Sequence, residues 1–182
     1  MSQSSKKVRF PDLRIRLIGL AREDQKIRKS PKFAANDQLF MDNLLESDRR
    51  RAEEVLVILE TIKTPSVDNI GIEGSRAVWL IAQHNSDYKD LGEIVLKKMT
   101  ELYRKDKNQV YYQGIPYLTD RIMVFKQLSN GVAIEKMHEL NLHVKQLYGT
   151  QFWTNPNGKH IKFKIIKPKS LQSRRQEFGL TN

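Results

Sequence analysis

Residues 151–166 read QFWTNPNGKHIKFKII. Ile161, Phe163 and Ile165 alternate with Lys162 and Lys164, the two-residue period of a strand with one buried face. Thr154-Asn155-Pro156-Asn157-Gly158 separates this run from QFW, and such turn-forming residues predict a hairpin. Upstream, apolar residues recur at helical rather than strand spacing. The chain therefore reads as α+β: a mostly helical body with a small antiparallel hairpin or sheet near the C-terminus.

Working outward from the hairpin, Ser129-Asn130-Gly131 is a turn signal, and the segment after it fits helix and strand equally well. Pro116 suits the first turn of a helix with Leu118, Ile122 and Phe125 inward. Tyr88, Leu91, Val95, Met99 and Leu102 mark another amphipathic helix. Arg76–His84 (RAVWLIAQH) is apolar nearly all round, which predicts a central buried helix capped by Ser75. Residues 64–74 (TPSVDNIGIEG) read as a turn-rich loop. Ala52, Val55, Leu56, Leu59 and Ile62 follow helical spacing, with a further segment starting near Asn36-Asp37 that carries Leu39, Phe40, Leu44 and Leu45. Ser47 or Asp48 can recap the chain between them. Pro11-Asp12 starts the first helix, whose Leu13, Leu17, Leu20 and Ala21 share a face and which stops before Ser30-Pro31. Residues 1–10 read as a basic flexible leader and 11–182 as one globular domain.

Charge is polarised. Residues 1–32 hold ten basic side chains and three acids, and residues 159–175 hold seven and none, within a net charge of +11. Such ends attract polyanions, so nucleic acid is one candidate partner. The absence of cysteine excludes disulfides, thiolate metal sites and a cysteine nucleophile, and fits a cytoplasmic location. No apolar run approaches the length of a bilayer span, so no membrane partner is expected. Phosphate-binding loops, dinucleotide fingerprints, nucleophile elbows and zinc-protease motifs are missing. Glu135 and His138 form a single ExxH where a di-iron bundle uses two. Neither a metal nor a cofactor is expected.

Five short motifs remain: Asp24-Gln25-Lys26-Ile27-Arg28, Gln83-His84, Tyr117-Leu118-Thr119-Asp120-Arg121, Gln146-Leu147-Tyr148-Gly149-Thr150-Gln151, and Arg174-Arg175 with Gly179-Leu180. In this order the set resembles a bacterial domain family with DQxxR, QHAD, YLxDR, QxYGTQ and RRxxxGL motifs and no assigned reaction. The resemblance spans roughly residues 13–180. Two departures are Asn85-Ser86 in place of the Ala-Asp after QH, and a longer stretch before QxYGTQ.

The residues themselves suggest chemistry. His84 can serve as general acid or base, with Asp120 orienting its ring. Asp24, Gln25, Arg28, Gln83, Arg121, Tyr148, Thr150 and Gln151 are candidate substrate contacts, the arginines for an anionic group. Each has a plainer reading: a helix-end histidine, a salt bridge between Asp24 and Arg28 on one helix face, a buried ion pair from Asp120-Arg121 to another helix, with Asp24 or Asp48 as partner, a glycine bulge at Gly149, and surface charge at Arg174 and Arg175. Three functions follow: a hydrolase or transferase acting on an anionic small molecule, a nucleic-acid or polyanion binder using the basic ends, and a protein-interaction module.

Overall fold

The computed structural model describes residues 7–35, 37–129, 143–155 and 157–180. The Asn130-Gly131 turn, the ambiguous segment that follows it, and the Glu135/His138 motif lie outside these residues. The chain is mostly helical with a small antiparallel sheet near its C-terminus, and it divides into two compact units, Met1–Tyr112 and Gln113–Asn182.

The first unit contains α1 (Pro11–Arg28), the short α2 (Pro31–Ala34), α3 (Gln38–Ile62), α4 (Val67–His84) and α5 (Leu91–Lys105). Pro11 fits the first turn of α1, where its missing N–H is not needed. Asp37 caps α3 by accepting from the Phe40 amide at 2.8 Å, a contact of a type that contributes about 1 kcal/mol. No recapping occurs at Ser47 or Asp48, and α3 runs on as one 25-residue helix. Its inward stripe is Leu44, Asp48, Arg51, Ala52, Val55, Ile58, Leu59 and Ile62, whereas Leu39 and Leu45 are exposed.

The loop expected at 64–74 is instead largely helix. Ser66 caps α4 through the Asn69 amide, and Asn69 Nδ2 donates to the carbonyls of Ile62 and Thr64, closing the end of α3. Gly71, at φ 70 and ψ 168, kinks α4 one turn in. Ser75 is therefore inside the helix, and its Oγ accepts from the Tyr111 amide at 3.0 Å.

Helices α1 and α4 pack side by side and run parallel. The amides of Arg9 and Phe10 donate to the carbonyls of Asp68 and Asn69, both at 2.9 Å, so the end of the basic leader is fixed to the start of α4. Further along, Arg14 bonds Glu73 and Asp24 meets His84, 59 and 60 residues apart in sequence. Leu17, Leu20, Ile70, Ala77, Val78 and Ile81 fill the core of this unit from these two helices.

The second unit contains α6 (Ile115–Ser129), β1 (Lys145–Gln146), β2 (Phe152–Thr154), β3 (His160–Lys162), β4 (Lys164–Ile165) and α7 (Leu171–Glu177). The hairpin pairs β2 with β3 antiparallel, Trp153 opposite Ile161. Asn155 Oδ1 holds the turn by accepting from the amides of Asn157 and Lys159. The strand expected over Ile161–Ile165 is broken at Phe163. Beyond it, β4 pairs with β1, and that pair is parallel. Val124, Val144, Trp153 and Phe163 form the local core, with Leu128 and Ile161 against it.

Among the described residues, no helix is long and apolar enough to cross a membrane, and no group of three or more histidine or acidic side chains is placed to hold a metal ion.

Candidate functional site

Three helices of the first unit bring charged side chains to one point. On α1, Asp24 and Arg28 sit four residues apart, and Arg28 Nε donates to Asp24 Oδ1 at 3.0 Å. Gln25 Nε2 donates to the other oxygen, Oδ2, at 3.0 Å. From α3, Asp48 accepts from Arg28 Nη2 at 2.7 Å and also bonds Arg51, whose Nη1 donates to Ser47 Oγ at 2.7 Å. From the end of α4, His84 Nδ1 stands 2.8 Å from Asp24 Oδ2 and 2.9 Å from Arg28 Nε. Asp24 and Arg51 are fully buried, while the side chains of His84 and Arg28 are 18% and 19% exposed.

One ring nitrogen cannot both donate and accept. An ionised carboxylate only accepts, so Nδ1 carries the proton and gives it to Asp24, and the Arg28 Nε–H belongs to Asp24 Oδ1. Nε2 makes no hydrogen bond among the described residues and is the ring atom left for chemistry. Burial pushes the Asp24 carboxyl up, but its hydrogen bond and charge interaction with His84, joined by Arg28 and Gln25, outweigh that effect. The group is held below its ordinary value. The arrangement is a carboxylate-oriented imidazole, tied to α3 through the Arg28 bridge.

Beside it runs a cleft between α1 and α4 of about 290 Å³. Ile18, Ala21, Ala77 and Leu80 are its apolar lining, with Arg22, Gln25, Arg76 and the carboxylate of Glu73, which is paired with Arg14, as polar groups. Arg22 and Arg76 are exposed, and Arg76 lies 5.8 Å from the Tyr111 ring centroid. Gln25 links cleft and cluster, lining the one and bonding Asp24 in the other. On α4, Glu73, Ala77, Leu80 and His84 succeed one another at helical spacing, so His84 continues the cleft face one turn beyond Leu80.

The remaining motif residues gather in the second unit. Asp120, fully buried on α6, accepts from the amides of Leu147 (2.7 Å), Tyr148 (3.0 Å) and Thr150 (3.0 Å) and from Thr150 Oγ1 (2.9 Å). Gln146, also fully buried, donates to the carbonyls of Gln151 and Phe163 and accepts from the Gln151 amide. Arg174 Nη2 donates to the carbonyls of Leu147 and Ile166, both at 2.7 Å, and Arg175 Nη1 to that of Tyr148 at 2.9 Å. Asp120 thus takes the loop's amides and the two arginines take its carbonyls. The Tyr148 ring meets Phe178 edge-on at 5.6 Å, and Arg121 lies over the Phe125 ring at 5.4 Å.

The structure therefore brings together Asp24, Gln25, Arg28 and His84, and separately Asp120, Tyr148, Thr150 and Gln151. The carboxylate on His84 is Asp24, whereas Asp120 is engaged by the YGTQ loop of its own unit. Arg174 and Arg175 are not loose surface charge but hold that loop. Gln83 is buried, and its Oε1 has no hydrogen-bond partner among the described residues. Sequence reasoning missed Arg51, Arg22 and Arg76 and gave Asp48 no place in the site. Asp48 and Arg51 did carry a signal, two charges three residues apart on the apolar stripe of α3. No protein-family model, curated protein or solved structure matches the chain.

Proposed function

We propose that the chain binds a small anionic molecule in the α1–α4 cleft and acts on it as a hydrolase or group-transfer enzyme, with His84 as general acid–base. The observation that carries this reading is the 2.8 Å contact between His84 Nδ1 and the buried Asp24 carboxylate, with Nε2 left over. Nε2 takes a proton from water or a hydroxyl as that oxygen bonds to the substrate's carbonyl carbon or phosphorus. It then returns the proton to the departing oxygen. Asp24 is a positioning residue that fixes the tautomer and stabilises the imidazolium formed on the way. Arg22 and Arg76 supply the positive charge for an anionic group. Arg28, named from sequence for that task, is already engaged by Asp24 and Asp48.

The same reading keeps the bacterial family resemblance as a proposal. DQxxR and His84 meet in one cluster, while YLxDR, QxYGTQ and RRxxxGL meet in the other. The test is a screen of chromogenic phosphate and carboxylate esters. His84→Ala should lower any turnover by about 10²–10⁴-fold, the usual contribution of a positioned acid–base group. Turnover that survives unchanged in His84→Ala would remove His84 from the chemistry.

A further inference from the structure

We propose that the outer face of the β2–β3 hairpin binds single-stranded nucleic acid, with Phe152 and His160 as the stacking platform and the flanking lysines as phosphate contacts. In a two-stranded ribbon, alternate side chains point to opposite faces. Trp153 and Ile161 face the local core, which turns Phe152, Thr154, His160 and Lys162 outward, with Phe152 opposite Lys162 and Thr154 opposite His160. Phe152 is 53% exposed, and its ring lies 4.7 Å from that of His160. Two adjoining rings in water are a surface for bases to stack on.

The charge around them has one sign. Residues 143–176 contain Lys145, Lys159, Lys162, Lys164, Lys167, Lys169, Arg174 and Arg175 and no acid. The two arginines are engaged by backbone carbonyls. The six lysines are exposed, and none is in an ion pair among the described residues. Lys145 and Lys164 lie directly opposite each other in the β1–β4 pair, a like-charge juxtaposition that costs stability unless an anion lies across it. Lys162 and Lys164 flank the buried Phe163 in sequence and are both exposed.

Single strands fit better than the alternatives. A duplex hides the faces of its bases from a stacking ring. An anionic membrane would favour several apolar side chains on the outer face, and there Phe152 is accompanied by Thr154, His160 and Lys162.

The experiment measures anisotropy of fluorescein-labelled oligothymidylate with the full chain. A strand of ~20 nucleotides should bind at ~50 mM salt, and each phosphate contact should add about −0.7 to the slope of log K against log salt. Phe152→Ala should weaken binding by roughly tenfold or more, while Phe152→Tyr preserves it. Lys162→Glu with Lys164→Glu should abolish it. All these positions are exposed, and circular dichroism checks that the variants fold. Arg22→Ala with Arg76→Ala should leave binding unchanged, which separates this face from the α1–α4 cleft. No binding at low salt overturns the proposal. So does binding that ignores Phe152→Ala, or that is matched in strength by the duplex or by phosphatidylserine vesicles.

Discussion

Nδ1 of His84 faces a carboxylate oxygen and a guanidinium nitrogen at nearly equal distance, and only one arrangement of protons suits both. With the proton on Nδ1, the long-range proton–nitrogen NMR pattern of neutral His84 should be that of the Nδ1–H tautomer. Asp24→Asn should change that pattern, because the amide nitrogen no longer accepts. The same substitution leaves Arg28 and the fully buried Arg51 without one of their counter-charges. Breaking a buried pair from one side costs about 3–5 kcal/mol, which urea unfolding would measure. The effect depends on pH with a definite sign. Asp24 titrates lower in the folded than in the unfolded chain, so its contribution is present above the unfolded value. It is lost as pH falls through the lower folded value. The acid limb of the stability curve should therefore be shallower in Asp24→Asn than in the wild type. Asp24 and Arg28 were readable from sequence as a local i, i+4 pair. Their tie to His84, 60 residues away, was not, because no local pattern encodes which helices will pack.

At the scale of elements, the kink in α4 decides how closely α1 can approach. Gly71 adopts φ 70 and ψ 168, backbone that is essentially restricted to glycine, and an added Cβ would stand 3.3 Å from Arg14 Nε. Gly71→Ala should cost about 1–3 kcal/mol in equilibrium unfolding. The turn-forming letters of TPSVDNIGIEG suggested a loop, and they do turn, but within a capped helix. Ser66 rather than Ser75 carries the cap, and a propensity reading cannot tell which of two serines meets a free amide. The hairpin was legible because its signals are local: alternation on one side, Asn155 and Gly158 in the turn. The parallel β1–β4 pair was not, since it joins residues almost twenty positions apart through two residues each.

For the whole molecule, most of the helices and the α+β character were visible in apolar spacing, and the division at Tyr112 was not, because no linker composition marks it. The motif residues were legible as a set but not in their grouping, which packing alone settles. In the first unit they end at a cleft with two exposed arginines, and in the second they hold a loop. The central claim is that the cleft, not the loop, is the ligand site. It is tested by thermal unfolding of the wild type and of Arg22→Ala/Arg76→Ala with a panel of small phosphates and carboxylates. A ligand that fits should stabilise the wild type by about 2.7 kcal/mol at a hundred times its Kd. It should leave the Tm of the double variant unmoved, while the ligand-free proteins unfold alike. A panel that shifts neither protein, or both equally, would contradict the account.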